Sequence, residues 1–144
     1  MLAEEEFLRI IKQLEEIYGI KVAVKFKLNA NSKYRAEYNP ATNTITVFKP
    51  IITTPYHEYG HALYHALMRK MRIVTDSETF AQRFSTMWLN INDTGFRCVC
   101  GSRKLIPATP VRRPTIRMLW VMCLDCGRVY KLKNPIFLKV HYNP

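Results

Sequence analysis

Tyr56-His57-Glu58-Tyr59-Gly60-His61-Ala62-Leu63 is the stretch on which the reading of this chain turns. Residues 57–61 match H-E-x-x-H. Histidines four apart on a helix share one face and are separated by about 6 Å along the axis. Both imidazoles can then address one zinc ion. Glu58, on the adjacent part of that face, can take a proton from an activated water and return it to a leaving amine. The context suits a helix. Pro55 stands just before the motif, and apolar Leu63, Leu67, Met68 and Met71 follow it. A helix is therefore predicted from Pro55 to about Met71.

Working outward, Phe7, Ile10, Ile11, Leu14, Ile17 and Tyr18 recur at three- and four-residue intervals, which predicts an amphipathic helix over residues 3–18, stopped by Gly19. Val22, Val24, Phe26 and Leu28 alternate with Lys21, Lys25 and Lys27, as in a half-buried strand. Residues 34–38 and 44–48 flank Asn39-Pro-Ala-Thr-Asn43 and read as a hairpin. A third helix is expected from about Thr75–Ser77, with Phe80, Ala81, Phe84, Trp88 and Leu89 on one side.

A catalytic zinc site needs a third protein ligand. His65 lies about 12 Å along the helix from His57 and cannot reach the same ion. The candidate is Glu78, at the start of the third helix, with Asp76 and His141 in reserve. The competing reading of Glu78 is a capping box, Thr75-Asp-Ser-Glu78, in which its carboxylate bonds back to the Thr75 backbone.

The chain has 144 residues, 48% of them hydrophobic and 12% aromatic, enough for a packed core and against intrinsic disorder. No apolar run approaches the length of about 18 residues that spans a bilayer. The acidic start, MLAEEEFLRI, is unlike a secretory signal, so a soluble cytoplasmic or DNA-associated protein is expected, neither secreted nor on a membrane. The net charge of +11 suggests a polyanionic partner. Residues 1–95 hold 12 Lys and Arg against 10 Asp and Glu, whereas residues 96–144 hold 10 against a single acid, Asp125. A domain boundary is expected at Gly95.

All four cysteines lie in the basic part, as Cys98-Val-Cys100-Gly and Cys123-Leu-Asp-Cys126-Gly. In a reducing compartment two such pairs point to a closed structural zinc held by all four thiolates, with Gly101 and Gly127 allowing the turns. Residues 96–144 are too few for a sizeable core, so the metal would stabilise this part. After Gly95 the chain reads as short strands, clearest at residues 118–122 and 128–132, with a proline-rich loop over residues 106–114. Arg112, Arg113, Arg117, Arg128, Lys131 and Lys133 are the candidate nucleic-acid contacts. Trp120 and Tyr130, interleaved with them, are read as filling the small core rather than stacking on bases.

Taken together, these residues resemble the SprT/Spartan-like metalloproteases. The resemblance rests on the hairpin before residues 56–63 and on Phe96-Arg-Cys-Val-Cys-Gly101 paired with Trp120-Val-Met-Cys-Leu-Asp-Cys-Gly127. It implies an α+β fold: a minimal zincin domain over residues 1–95, with helices packed on a small antiparallel sheet, then a small β zinc ribbon over residues 96–144. It implies two zinc ions, one catalytic and one structural, with His57 and His61 as ligands and Glu58 as base. It also implies an endopeptidase acting on protein bound or cross-linked to DNA. The chain departs from that family at the third ligand, which there is a histidine shortly after the motif helix. Here no histidine lies between His65 and His141. Glu78-Thr-Phe-Ala81 instead resembles the E-x-x-A segment of gluzincins and, more loosely, the corresponding helix of ImmA/IrrE-like proteases. Two other readings stay open: an ImmA/IrrE-like protease that cleaves one repressor, and a nucleic-acid-binding zinc protein without catalysis.

Overall fold

A computed structural model of the chain describes residues 1–71, 75–108 and 118–133. Helix α1 covers Glu4–Tyr18. Glu4, Glu5 and Glu6 occupy its first turn, where negative charge meets the positive end of the helix dipole. Phe7, Ile10, Ile11, Leu14 and Tyr18 are buried on one face. Gly19 ends the helix at φ 75°, a left-handed value, and its N–H bonds Glu15 O at 2.8 Å.

The first sheet contains β1 (Ala23–Phe26), β2 (Ala36–Asn39) and β3 (Thr44–Val47), in the order β1-β3-β2. The hairpin is present, with β2 antiparallel to β3 and Asn39 opposite Thr44. The expected antiparallel sheet needs one correction: β1 lies on the far side of β3 and runs parallel to it, Ala23 opposite Thr44, so the sheet is mixed. Asn43 links β1 to the hairpin turn. It adopts φ 52°, its side-chain amide donates to Lys21 O at 2.7 Å, and its carbonyl accepts from Ala23 N at 3.1 Å. Lys21, Lys25 and Lys27 are exposed between half-buried Val22, Val24 and Phe26, as the alternation requires. Leu28 lies beyond the end of the strand and is 49% exposed. The Phe26 ring meets Phe7 edge-on at 5.6 Å, which joins the strand to α1.

Helix α2 spans Thr54–Leu67, with Pro55 in the first turn, where a missing N–H costs nothing. It ends before the expected Met71. The N–H groups of both Lys70 and Met71 bond Leu67 O, closing the last turn tightly. Tyr56, Glu58, Tyr59, Gly60, Ala62, Leu63 and Tyr64 are all buried. This burial around most of the helix follows from packing against both α1 and β2. The Tyr59 hydroxyl donates to Ile20 O at 2.7 Å, so the buried phenol is satisfied and α2 is tied to the exit of α1.

Helix α3 spans Ser77–Thr94. Phe80, Ala81, Phe84, Met87, Trp88 and Ile91 are buried along it, while Leu89 is half-buried. Gly95 closes it at φ 72°. The chain divides into two compact units, Met1–Gln82 and Arg83–Pro144. That division falls inside α3, whereas Gly95 stands at the helix end.

In the second unit β4 (Leu105–Pro107), β5 (Met118–Cys123) and β6 (Val129–Lys133) form an antiparallel sheet in that order. Pro107 stands on the edge strand opposite Val121, a position where its lack of an N–H is tolerated. Residues 105–107 thus begin a strand where the sequence suggested a loop from Ile106. Leu105, Ile106, Leu119 and Val121 are buried in this sheet. No helix among the described residues is long and apolar enough to cross a membrane.

Phe7 is fully buried and Leu8 is 46% exposed. Phe7→Ala should cost about 3–5 kcal/mol and Leu8→Ala less than about 0.5 kcal/mol. Urea denaturation of the two variants checks this, and equal losses would contradict the assigned inner face of α1.

Candidate metal centres

One turn of α2 brings the two histidines of the motif together. His57 Nε2 and His61 Nε2 lie 3.2 Å apart, with the rings nearly perpendicular at 75°. The carboxylate of Glu78, delivered by the first turn of α3, bridges them. Its Oε1 is 3.1 Å from His57 Nε2 and its Oε2 is 3.0 Å from His61 Nε2. The capping role belongs to Asp76, whose Oδ1 accepts from Thr79 N at 2.7 Å. Asp76 therefore starts α3, and Glu78 is turned to the histidines. His65 is packed elsewhere, stacked on Tyr38 at 5.9 Å. His141 lies outside the described residues.

Glu58 is 6% exposed, and its Oε2 has no hydrogen-bond partner. Burial pushes its carboxyl from 4.5 up to about 7, with the charges of Glu78 and Glu37 adding to the effect. That oxygen is left to be neutralised by a proton or by a nearby cation. His57, Glu58 and His61 place one ligand atom each within 4.8 Å of one another, a group that could hold a metal ion. With Glu78, the donor set is two imidazoles and carboxylate oxygen, which suits zinc.

Ser77 is a member of this site that sequence reasoning passed over as part of the capping segment. Its Oγ lies 2.7 Å from His61 Nδ1. A proton on Nδ1 bonded to Ser77 leaves the Nε2 lone pair directed at the histidine–carboxylate cluster. Burial, together with the nearby His57, holds His61 below the usual imidazole range, so it stays neutral and able to bind a cation.

The cysteines form a second centre. Gly101 and Gly127 adopt φ 88° and 78°, and their N–H groups close turns onto the carbonyls of Cys98 and Cys123 at 2.9 and 2.8 Å. The two turns interlock through sulfur. Cys98 Sγ lies 3.3 Å from Cys126 Sγ, and Cys100 Sγ lies 3.7 Å from Cys123 Sγ. A disulfide needs about 2.05 Å. Four thiolates about 2.3 Å from one tetrahedral zinc would lie about 3.8 Å from each other. All four sulfurs fall within 4.8 Å of one another, so this group too could hold a metal. Asp125 also joins the turns, accepting from the Ser102 hydroxyl at 2.6 Å. Burial pushes the Cys98 thiol up, but hydrogen bonds from Tyr130 and the Cys100 backbone outweigh it and hold the thiol down to about 6.

Of the candidate nucleic-acid contacts, Arg128 and Lys131 are exposed, and Lys131 Nζ stands over the Trp120 ring at 5.4 Å. Lys133 closes β6. Arg112, Arg113 and Arg117 lie outside the described residues. Tyr130 is half-buried, packed edge-on against Phe96 at 5.0 Å.

No family model matches the sequence, and no curated protein does. Among solved structures, a Mycobacterium tuberculosis transcriptional regulator is similar with 11% identity and a TM-score of 0.35. The match covers 94% of this chain and 61% of that one. The chain thus spans about three-fifths of the regulator's length.

Two outcomes follow for the histidine centre. In the metal-free protein a carboxyl raised from 4.5 to about 7 supports the fold below pH 4.5 and loses that support as pH rises through 7. Glu58→Gln should match wild type near pH 4 and exceed it in stability by on the order of 3 kcal/mol above pH 8. Melting of both proteins in chelator across that range is the measurement, and a pH-independent difference would contradict a buried, unpaired Glu58. Ser77→Ala should weaken metal binding at this centre about tenfold or more, as read by chelator competition; unchanged affinity would remove Ser77 from its orienting role.

Proposed function

We propose that this chain is a zinc-dependent endopeptidase of SprT-like type that acts on DNA-associated or DNA-cross-linked proteins. The observation that carries the reading is the convergence of Glu78 on His57 and His61 of the motif that also holds buried Glu58, whose Oε2 has no hydrogen-bond partner. In this reading His57, His61 and Glu78 hold the catalytic zinc. When bound, zinc supplies Lewis-acid polarisation and makes water more acidic. Glu58 takes the proton of the attacking water as the peptide carbonyl is attacked, then hands it to the leaving amine. A carboxyl raised towards neutrality suits a group that must both accept and donate a proton. Burial keeps bulk water from Glu58, and Ser77 keeps His61 in the tautomer that binds metal.

Residues 96–144 act in this proposal as a basic zinc ribbon, with the second zinc held by Cys98, Cys100, Cys123 and Cys126. Arg112, Arg113, Arg117, Arg128, Lys131 and Lys133 neutralise phosphates, and the Lys131–Trp120 contact supports a charged rather than a stacking role for that strand. Tethering to DNA raises the local concentration of protein substrate. The position of Glu78 also favours a second reading, an ImmA/IrrE-like protease directed at one repressor.

The test combines metal content with cleavage. Wild type should contain two zinc ions per chain, His57→Ala should lose one, and Cys123→Ser the other. Glu58→Gln should keep both ions and lose at least about 100-fold in cleavage of a DNA-bound protein. Cleavage stimulated by DNA supports the SprT-like reading. Cleavage of a single repressor, indifferent to DNA, supports the second. DNA binding with two zinc ions and no hydrolysis of any protein would leave a non-catalytic zinc protein.

A further inference from the structure

Tyr130 belongs to the cysteine centre in a way that its place in the sequence did not suggest. Its hydroxyl oxygen lies 3.1 Å from Val99 N and 3.1 Å from Cys98 Sγ. The Val99 amide can only donate, so the phenol oxygen accepts there. The one phenolic proton is then left for Cys98 sulfur. Cys98 is 3% exposed and its sulfur faces Cys126. The ring is held by the edge-on contact with Phe96 and by the pairing of Tyr130 with Val121 across β5 and β6. One hydroxyl thus connects the first cysteine turn, through Val99 and Cys98, to the strand that leaves the second.

We propose that Tyr130 is a positioning residue of the cysteine metal centre, its hydroxyl donating to the Cys98 thiolate and fixing both the aim and the electron density of that ligand. The proposal rests on the reading that the four cysteines hold a metal. A hydrogen bond to a ligand sulfur draws off negative charge that the four thiolates would otherwise concentrate on one ion. It also stops the Cys98 side chain from rotating away when the metal is exchanged. Groups that orient a ligand in this way typically change metal affinity by about 10–100-fold when removed.

Cobalt(II) titration of the full-length protein tests this, because a near-ultraviolet charge-transfer band arises from thiolate–cobalt bonds and not from the histidine centre. Tyr130→Phe keeps the ring and its contact with Phe96 and removes only the hydroxyl. It should retain the band, shift it to lower energy, and weaken cobalt binding about 10–100-fold. Phe96→Leu loosens the ring packing but keeps the hydroxyl, so it should lower thermal stability and leave the band position unchanged. A Tyr130→Phe protein with wild-type affinity and an unmoved band would overturn the role of Tyr130 while leaving the metal centre intact. A wild-type protein that shows no band at all would overturn the metal reading and the tyrosine's role with it.

Discussion

Two imidazole nitrogens 3.2 Å apart, on one turn of α2, are the constraint around which the first unit is arranged. The spacing exists only while residues 57–61 remain helical. The 14-residue helix α2, with three tyrosines and a glycine, is a poor isolated helix, so tertiary contacts must hold it. Burial of Tyr56, Tyr59, Ala62 and Leu63 supplies them, with the Tyr59 hydroxyl locked onto Ile20 O. Helix α1 and the sheet are the support for that turn. The cap of α3 then completes the cluster: Asp76 takes the orphan N–H of Thr79, and the two residues between them, Ser77 and Glu78, both reach the histidines.

Glu58 shows what this arrangement costs. A carboxylate buried beside two other acids is destabilising unless it is protonated or matched by a positive ion. The core around it would be more stable with a neutral side chain. Retaining an orphaned oxygen there is the kind of local violation that folds tolerate at functional sites. The same burial that penalises the charge raises the carboxyl into the range where proton exchange at neutral pH is easy. One desolvation effect thus lowers the stability of the charged form and raises the proton affinity of the same group.

The second centre solves a different problem. Among the described residues its sheet buries the apolar side chains of Leu105, Ile106, Leu119 and Val121. The cysteine turns, the Ser102–Asp125 hydrogen bond and the Tyr130 hydroxyl form a polar clasp at one end of that sheet. Asp125, the lone acid of residues 96–144, accepts from Ser102 within the clasp. Arg128 and Lys131 are exposed near it.

Much of this was legible in the residues themselves. The 3.6-residue period of α1, the alternation of β1, the hairpin around Asn39–Asn43, the motif helix and the paired cysteine turns all depend on local spacing, which sequence carries directly. What spacing does not carry is the partner across space. The parallel placement of β1 beside β3 depends on where Asn43 finds an acceptor. Whether Glu78 caps α3 or faces the histidines depends on which neighbour takes the cap. Ser77 and Tyr130 look like an ordinary turn serine and a core aromatic until a distant histidine and a distant thiol are brought within hydrogen-bond reach. The sequence alone determined which groups could do chemistry. The tertiary structure decided which of them meet, because a hydrogen bond or a shared ligand site requires separations of about 3 Å between atoms that the chain order leaves many residues apart.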